Sequence, residues 1–139
     1  MNTEKSPVTC FVVDDDIDDQ ELFSAAMENS ILKQYSCVFA SDGVEAMERL
    51  NEGLLPDYIF LDLNMPRLDG LECLSEIRNQ EKLKQIPIAI YSTSSDEHNK
   101  AQALSLGATA FISKPTKFNE LVNRLSDFFT TYKPTQQGL

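Results

Sequence analysis

The stretch TCFVVDDDIDDQE carries six carboxylates within eight residues: Asp14, Asp15, Asp16, Asp18, Asp19 and Glu21. They follow directly on an apolar run, residues 8–13, that reads as a buried strand. Asp62 sits inside a second apolar run, YIFLDL, at 58–63. Ser92 and Thr93 close a third such run, and Lys114-Pro115 closes a fourth. A charge within an apolar run is costly unless it is paired or metal-bound. Clustered carboxylates need a counter-charge, or one of them must take up a proton. An oxygen-only donor set suits Mg2+, which keeps several waters and binds through one or two carboxylates plus a phosphate. Adding Lys114 and the Ser92 hydroxyl makes the set fit a phosphoryl group on Asp62. The carboxylate attacks phosphorus to form an acyl phosphate. Mg2+ and Lys114 neutralise the phosphoryl oxygens, and Ser92 donates a hydrogen bond to one of them.

These residues can meet only if the elements between them bring them to one place. Five apolar runs alternate with helical patterns: 8–13, 36–40, 58–63, 86–91 and 108–113. The first, third and fourth are nearly continuous, as expected of parallel strands covered on both faces. Helical spacing follows each run. Leu22, Ala25, Ala26 and Asn29 form the first stripe, Val44, Met47 and Leu50 the second, and Leu71, Leu74 and Ile77 the third. The last is Leu121, Val122, Leu125, Phe128, Phe129 and Tyr132. Asp42 with Glu45, Asp69 with Glu72, and Ser94 with Glu97 have capping-box spacing. Gly53 and Gly107 fall where the second and fourth helices should stop. The pattern predicts a five-stranded parallel sheet of five β-α units, doubly wound, with the flavodoxin-like strand order 2-1-3-4-5. Ligands of such sheets bind beyond the carboxyl ends of the strands. In that order Asp14, Asp15 and Asp62 share one pocket, with Ser92 and Lys114 at the same edge.

Composition narrows the function. The net charge of −10 repels nucleic-acid phosphates and gives no reason to expect such a partner. No apolar run has the length of a membrane span, and the polar start MNTEKSPV has no signal-peptide core; a cytoplasmic location is expected. Cys10, Cys37 and Cys73 form no CxxC pair and read as buried free thiols. No phosphate-cradling glycine loop is present, so ATP is not expected as a substrate. An EF-hand fits poorly, with Asp19 at the sixth loop position and Ala25 at the twelfth. Each acidic residue also has a plain explanation: carboxylates at 14–19 favour a helix N-terminus. That accounts for Asp16, Asp18 and Asp19, which are expected to start the first helix and face solvent.

Four motifs, VVDDD at 12–16, LDLNMPRLDG at 61–70, YSTS at 91–94 and GATAFISKP at 107–115, occur in this order. Through them the chain strongly resembles the receiver domain of bacterial two-component response regulators, from about Val8 to Tyr132. The resemblance implies Asp62 as phosphoacceptor, Asp15 as a direct Mg2+ ligand and Asp14 acting largely through water. It implies that Asn64 offers a backbone carbonyl to the metal and that Lys114 contacts the phosphoryl group. Pro115 would follow a cis peptide bond that aims the lysine. Ser92 would be the switch hydroxyl and Phe111 the switch aromatic, lacking the hydroxyl of the tyrosine many members carry. The implied partners are a sensor histidine kinase or a histidine phosphotransfer protein, and an unnamed downstream protein. Residues 1–7 would be a flexible start, 8–132 the receiver and 133–139 a polar tail, with no output domain. The chain would be of the stand-alone type and resembles the small regulators beside phytochrome-like and hybrid kinases. Monomer and phosphorylation-dependent homodimer both remain open.

Two other classes stand beside this one. A haloacid-dehalogenase-type phosphatase also uses an aspartyl nucleophile and Mg2+, but places a second Asp two residues on, where this chain has Asn64. A phosphorylation-independent adaptor of the same fold would lack an acidic, hydroxyl or lysine member, and none is lacking. The expected chemistry is therefore phosphorylation and dephosphorylation of the chain itself, without turnover of a separate substrate.

Overall fold

The computed structural model describes residues 7–65, 67–93 and 97–134. Strands and helices alternate as β1 (Val8–Val13), α1 (Ile17–Glu28), β2 (Tyr35–Ala40), α2 (Gly43–Asn51), β3 (Tyr58–Leu61), α3 (Gly70–Arg78), β4 (Ile88–Ser92), α4 (Glu97–Ser105), β5 (Ala110–Ser113) and α5 (Phe118–Thr131). A short 3-10 turn, Glu81–Leu83, precedes β4. The five strands pair in parallel in the order β2-β1-β3-β4-β5. This is the expected doubly wound, flavodoxin-like sheet.

The continuous apolar runs are explained by the alternation of side chains along a strand. Phe11, Val13, Ile59, Leu61, Ile88 and Ile90 enter one core, covered by α2, α3 and α4. Cys10, Val12, Tyr58, Phe60, Ala89 and Tyr91 enter the other, covered by α1 and α5. Both faces are dry only on the central strands β1, β3 and β4, which are the three nearly continuous runs. In α5, Phe128 and Phe129 are buried and pack edge-on against Phe60 and Tyr58, respectively. Tyr132 is half-buried, and its carbonyl accepts a 2.6 Å hydrogen bond from the Tyr58 hydroxyl.

The helix starts follow the expected caps. Asp16 accepts from the amides of Asp18 and Asp19 and caps α1. Asp69 and Glu72 form a complete capping box on α3. Asp42 accepts from the Glu45 amide, but Glu45 reaches back to the Ser41 amide rather than to that of Asp42. Gly53 and Gly107 end α2 and α4 at φ 113° and 107°, a region L side chains disfavour. Among the described residues no helix is long and apolar enough to cross a membrane. The cap expected of Ser94 lies outside the described residues, as do 1–6 of the expected flexible start and 135–139 of the expected tail.

The inward face of α1 differs from the expected one. Phe23, Ala26 and Met27 are buried, whereas Leu22 is 39% exposed. Both sets fit helical spacing, and spacing alone does not fix a helix's rotation about its axis. The large Phe23 ring settles it by packing against Phe60 at 4.9 Å and Tyr91 at 5.7 Å.

All three cysteines are free; Cys10 and Cys73 are buried and Cys37 is half-buried. Burial pushes the Cys37 thiol up to about 11 and the Cys73 thiol up to about 12, so they are poor nucleophiles.

Candidate functional site

Three candidate residues, Asp14, Asp62 and Lys114, stand one position beyond a strand and are still held by the sheet. The Asp14 amide donates to Ala40 O at 3.0 Å, the Asp62 amide to Val13 O at 3.0 Å, and the Lys114 amide to Ser92 O at 2.9 Å. Continuation of the parallel ladders thus brings the side chains of β1, β3 and β5 to one edge. Two glycines let the surrounding loops close in. Gly70, the first residue of α3, lies against the Asp62 carbonyl, where a Cβ would stand 2.6 Å from Leu63 Cα. Gly43, the first residue of α2, lies against Leu68 of the loop after β3, where a Cβ would stand 2.8 Å from the Leu68 Cβ.

The carboxylates of Asp14, Asp15 and Asp62 each place an oxygen within 4.8 Å of the others. Asp14 is 1% exposed and Asp62 6%, while Asp15 is open to solvent. Asp14 Oδ1 accepts from the Asp16 amide at 3.0 Å, and Asp62 Oδ1 from the Asn64 amide at 3.2 Å. The remaining oxygens turn to Lys114, whose Nζ is 2.8 Å from Asp14 Oδ2 and 3.3 Å from Asp62 Oδ2. Nζ also lies 5.2 Å from the centre of the Tyr91 ring, within cation–π range. The ammonium thus sits between the Asp14 and Asp62 carboxylates and the Tyr91 ring.

Electrostatics show a site short of positive charge. Burial pushes the Asp14 carboxyl above its ordinary value and Asp62 adds repulsion, although Lys114 and the Asp16 amide pull it down. For Lys114, burial disfavours the charge, but the hydrogen bonds to Asp14 and Asp19 and the nearby Asp62 outweigh it and raise the pKa. The lysine stays an ammonium. The donor set is all oxygen, partly buried and open on the Asp15 side. This fits a hard divalent cation that keeps some of its water.

Ser92 is fully buried at the end of β4, next to the strand that leads to Asp62. Phe111 on β5 is half-buried, packs against the core under α2 to α4, and lines an open groove between β5 and α5. The Asn64 side chain is exposed.

Two expectations are corrected here. No cis peptide occurs among the described residues, so the Lys114–Pro115 bond is trans. The two isomers of a bond to proline differ by only about 0.5–1 kcal/mol, and in the trans form the ammonium already reaches Asp14 and Asp62. Asp19, expected to face solvent with Asp18, instead bonds Lys114 Nζ at 2.8 Å. The contact depends on how α1 sits against β5, which the spacing of acidic residues at 14–19 does not reveal. Sequence reading also missed Arg67, which holds Asp42 Oδ2 through Nε at 2.9 Å and Nη2 at 2.8 Å. Arg67 adopts φ 69°, so the loop after Asp62 is pinned to the cap of α2 through a left-handed turn.

Known proteins share this sequence pattern and this fold. The family model for the response regulator receiver domain matches residues 10–126. The chain is 31% identical over 120 residues to hybrid signal transduction histidine kinase D of Dictyostelium discoideum, covering 86% of this chain and 8% of that protein. It is 34% identical over 114 residues to the transcriptional regulatory protein CpxR homolog of Haemophilus influenzae, covering 82% of this chain and 47% of that protein. It therefore spans less than half the length of these two relatives. The phosphorylated cyanobacterial phytochrome response regulator RcpA superposes with a TM-score of 0.84 at 30% identity, covering 94% of this chain and 99% of that one.

Proposed function

The chain belongs to the response regulator receiver family, and from that membership we propose that it accepts a phosphoryl group on Asp62 and reports it through a protein-binding surface. The observation that carries the assignment is Asp62 itself. It is a nearly buried carboxylate with one oxygen against Lys114, inside the Asp14–Asp15–Asp62 cluster. The donor is a phosphohistidine of a sensor histidine kinase or a histidine phosphotransfer protein. An Asp62 oxygen attacks phosphorus, the P–N bond breaks, the imidazole leaves, and an acyl phosphate remains.

Asp14, Asp15, Asp62 and the backbone carbonyl of Asn64 are the residues that would hold Mg2+, which when bound neutralises the phosphoryl oxygens. Lys114 supplies a fixed ammonium to the same oxygens, and the Ser92 hydroxyl donates to one of them. The ammonium already lies against Asp62 before the donor arrives, whereas the Ser92 hydroxyl turns toward the phosphoryl group once it is formed. With Ser92 drawn inward, Phe111 turns into the space beside β4. The face of α4, β5 and α5 then differs between the two states and selects a downstream partner. Phe111 has no hydroxyl, so that partner is read by shape and apolar contact at this position. The receiver unit is residues 8–132.

The test is incubation with acetyl phosphate, or with beryllofluoride and Mg2+, followed by NMR or intact-mass analysis. Wild type gains one phosphoryl group, or shifts its spectrum with beryllofluoride, and Asp62→Asn does neither. A wild type that responds to neither reagent, or an Asp62→Asn variant that still responds, refutes the assignment.

A further inference from the structure

We propose that Asp19 is a positioning residue for Lys114: it draws the ammonium toward α1 and so competes for it with a phosphoryl group on Asp62. The proposal rests on Asp62 being the phosphoacceptor. A lysine ammonium has three N–H donors, and here each has a carboxylate. Nζ is 2.8 Å from Asp14 Oδ2, 2.8 Å from Asp19 Oδ2 and 3.3 Å from Asp62 Oδ2. It therefore lies nearer the two carboxylates on the α1 side than Asp62.

The three partners differ in what the reaction does to them. Asp14 and Asp62 belong to the close carboxylate cluster with Asp15; Asp19 does not. A divalent cation in the cluster competes with Lys114 for Asp14 and Asp62. Phosphorylation turns the Asp62 carboxylate into an acyl phosphate, so the charge moves to the phosphoryl oxygens. Neither event alters Asp19, which goes on attracting the ammonium from its place 2.8 Å away. That hold is firm, because the Asp19 amide donates to the Asp16 cap at 3.2 Å and fixes the residue in the first turn of α1. The Lys114 side chain is 8% exposed and that of Asp19 29%, so the contact is only partly screened by water. Once the metal is bound, Asp19 is the carboxylate left opposing the transfer of the ammonium to the phosphoryl oxygens. Its own negative charge, one ammonium away, also repels an incoming anion.

A plain helix-start role for Asp19 is separated from this one by its neighbour. Asp18 lies in the same turn and accounts equally for the helix dipole, but it faces solvent, and among the described residues the carboxylates paired with Lys114 are Asp14, Asp19 and Asp62.

The experiment is a beryllofluoride titration at saturating Mg2+, followed by NMR, of wild type, Asp19→Asn, Asp19→Glu and Asp18→Asn. Saturating metal removes any change in Mg2+ affinity from the comparison. Asp19→Asn is expected to reach half-saturation at about three- to tenfold lower beryllofluoride, the scale of one partly screened charge at this range. Asp19→Glu restores the charge and stays within about twofold of wild type, and Asp18→Asn leaves the value unchanged. An unchanged or weaker response in Asp19→Asn, or an equal shift in Asp18→Asn, overturns the proposal. A second measurement uses wild type alone: the through-bond coupling between Lys114 Nζ and Asp19 Cγ should weaken on addition of Mg2+ and beryllofluoride, as the ammonium is drawn to the bound anion, and an unchanged coupling overturns the proposal too. If wild type itself fails to bind beryllofluoride in an Asp62-dependent manner, the phosphoacceptor assignment falls and this proposal with it. If it binds and Asp19→Asn does not shift, only the role of Asp19 falls.

Discussion

Gly70→Ala couples the fold to the chemistry at a single methyl group. The added Cβ would stand 2.6 Å from Leu63 Cα and 3.0 Å from the Asp62 carbonyl carbon, and closer still to the Asp62 carbonyl oxygen. These are backbone atoms of the residue proposed to be phosphorylated, so no side chain can swing aside. Reaching an ordinary contact distance opens the α3 start from the end of β3 by roughly 1 Å. Overpacking of this kind costs about 1–3 kcal/mol. The better helix propensity of Ala returns at most about 1 kcal/mol. The net loss is about 1–2 kcal/mol, a fall in Tm of roughly 3–8 °C for a chain of this size. The same displacement moves Asp62 relative to Lys114 and the other carboxylates, and misplacement by about 1 Å lowers a positioned reaction on the order of a hundredfold. Metal-free thermal unfolding by circular dichroism measures the first effect. The rate of phosphorylation by acetyl phosphate, read by intact mass, measures the second. Gly53→Ala is the control: at φ 113° with nothing within 4 Å, it strains only the backbone. It should lose about 1–2 kcal/mol and leave the phosphorylation rate unchanged. A Gly70→Ala variant with wild-type Tm and rate refutes the reasoning. So does an equal loss of rate in both variants.

Mg2+ should raise the Tm of wild type, by about 2.7 kcal/mol of stability at a concentration 100 times its Kd; Asp15→Asn should need far more metal for the same rise, and an unchanged titration refutes its place in the cluster. Arg67→Ala keeps the left-handed backbone and loses the ion pair with Asp42, costing about 0.2–1 kcal/mol. Arg67→Gly loses the same pair but relieves about 1–2 kcal/mol of backbone strain, so urea unfolding should rank it above Arg67→Ala. The Cys37 thiol sits at about 11 in the folded protein against an ordinary 9.0. Its contribution is therefore complete below pH 9 and is lost as the pH rises from there through 11. Cys37→Ala should shallow the loss of stability between those pH values, and an unchanged slope in urea unfolding refutes it.

The amino-acid sequence by itself determined the element order and where the chemistry would stand. Three nearly continuous apolar runs mark the central strands, because only strands dry on both faces exclude polar residues from alternate positions. Asp14, Asp62 and Lys114 each follow such a run or its edge equivalent, and a parallel sheet delivers all strand ends to one side. That is why the cluster could be assembled on paper. Rotation and contact were decided only by the tertiary structure. Helical spacing allowed Leu22 or Phe23 to face inward, and the Phe60 and Tyr91 rings chose Phe23. The same rotation turned Asp19 toward Lys114, 95 residues away in the chain, and left Asp18 in solvent. The Lys114–Pro115 bond is trans because two nearly equal isomers are selected by their surroundings rather than by the dipeptide. Arg67 meets Asp42 only once the loop after β3 lies on α2, a contact that Gly43 makes room for and that local pattern does not encode.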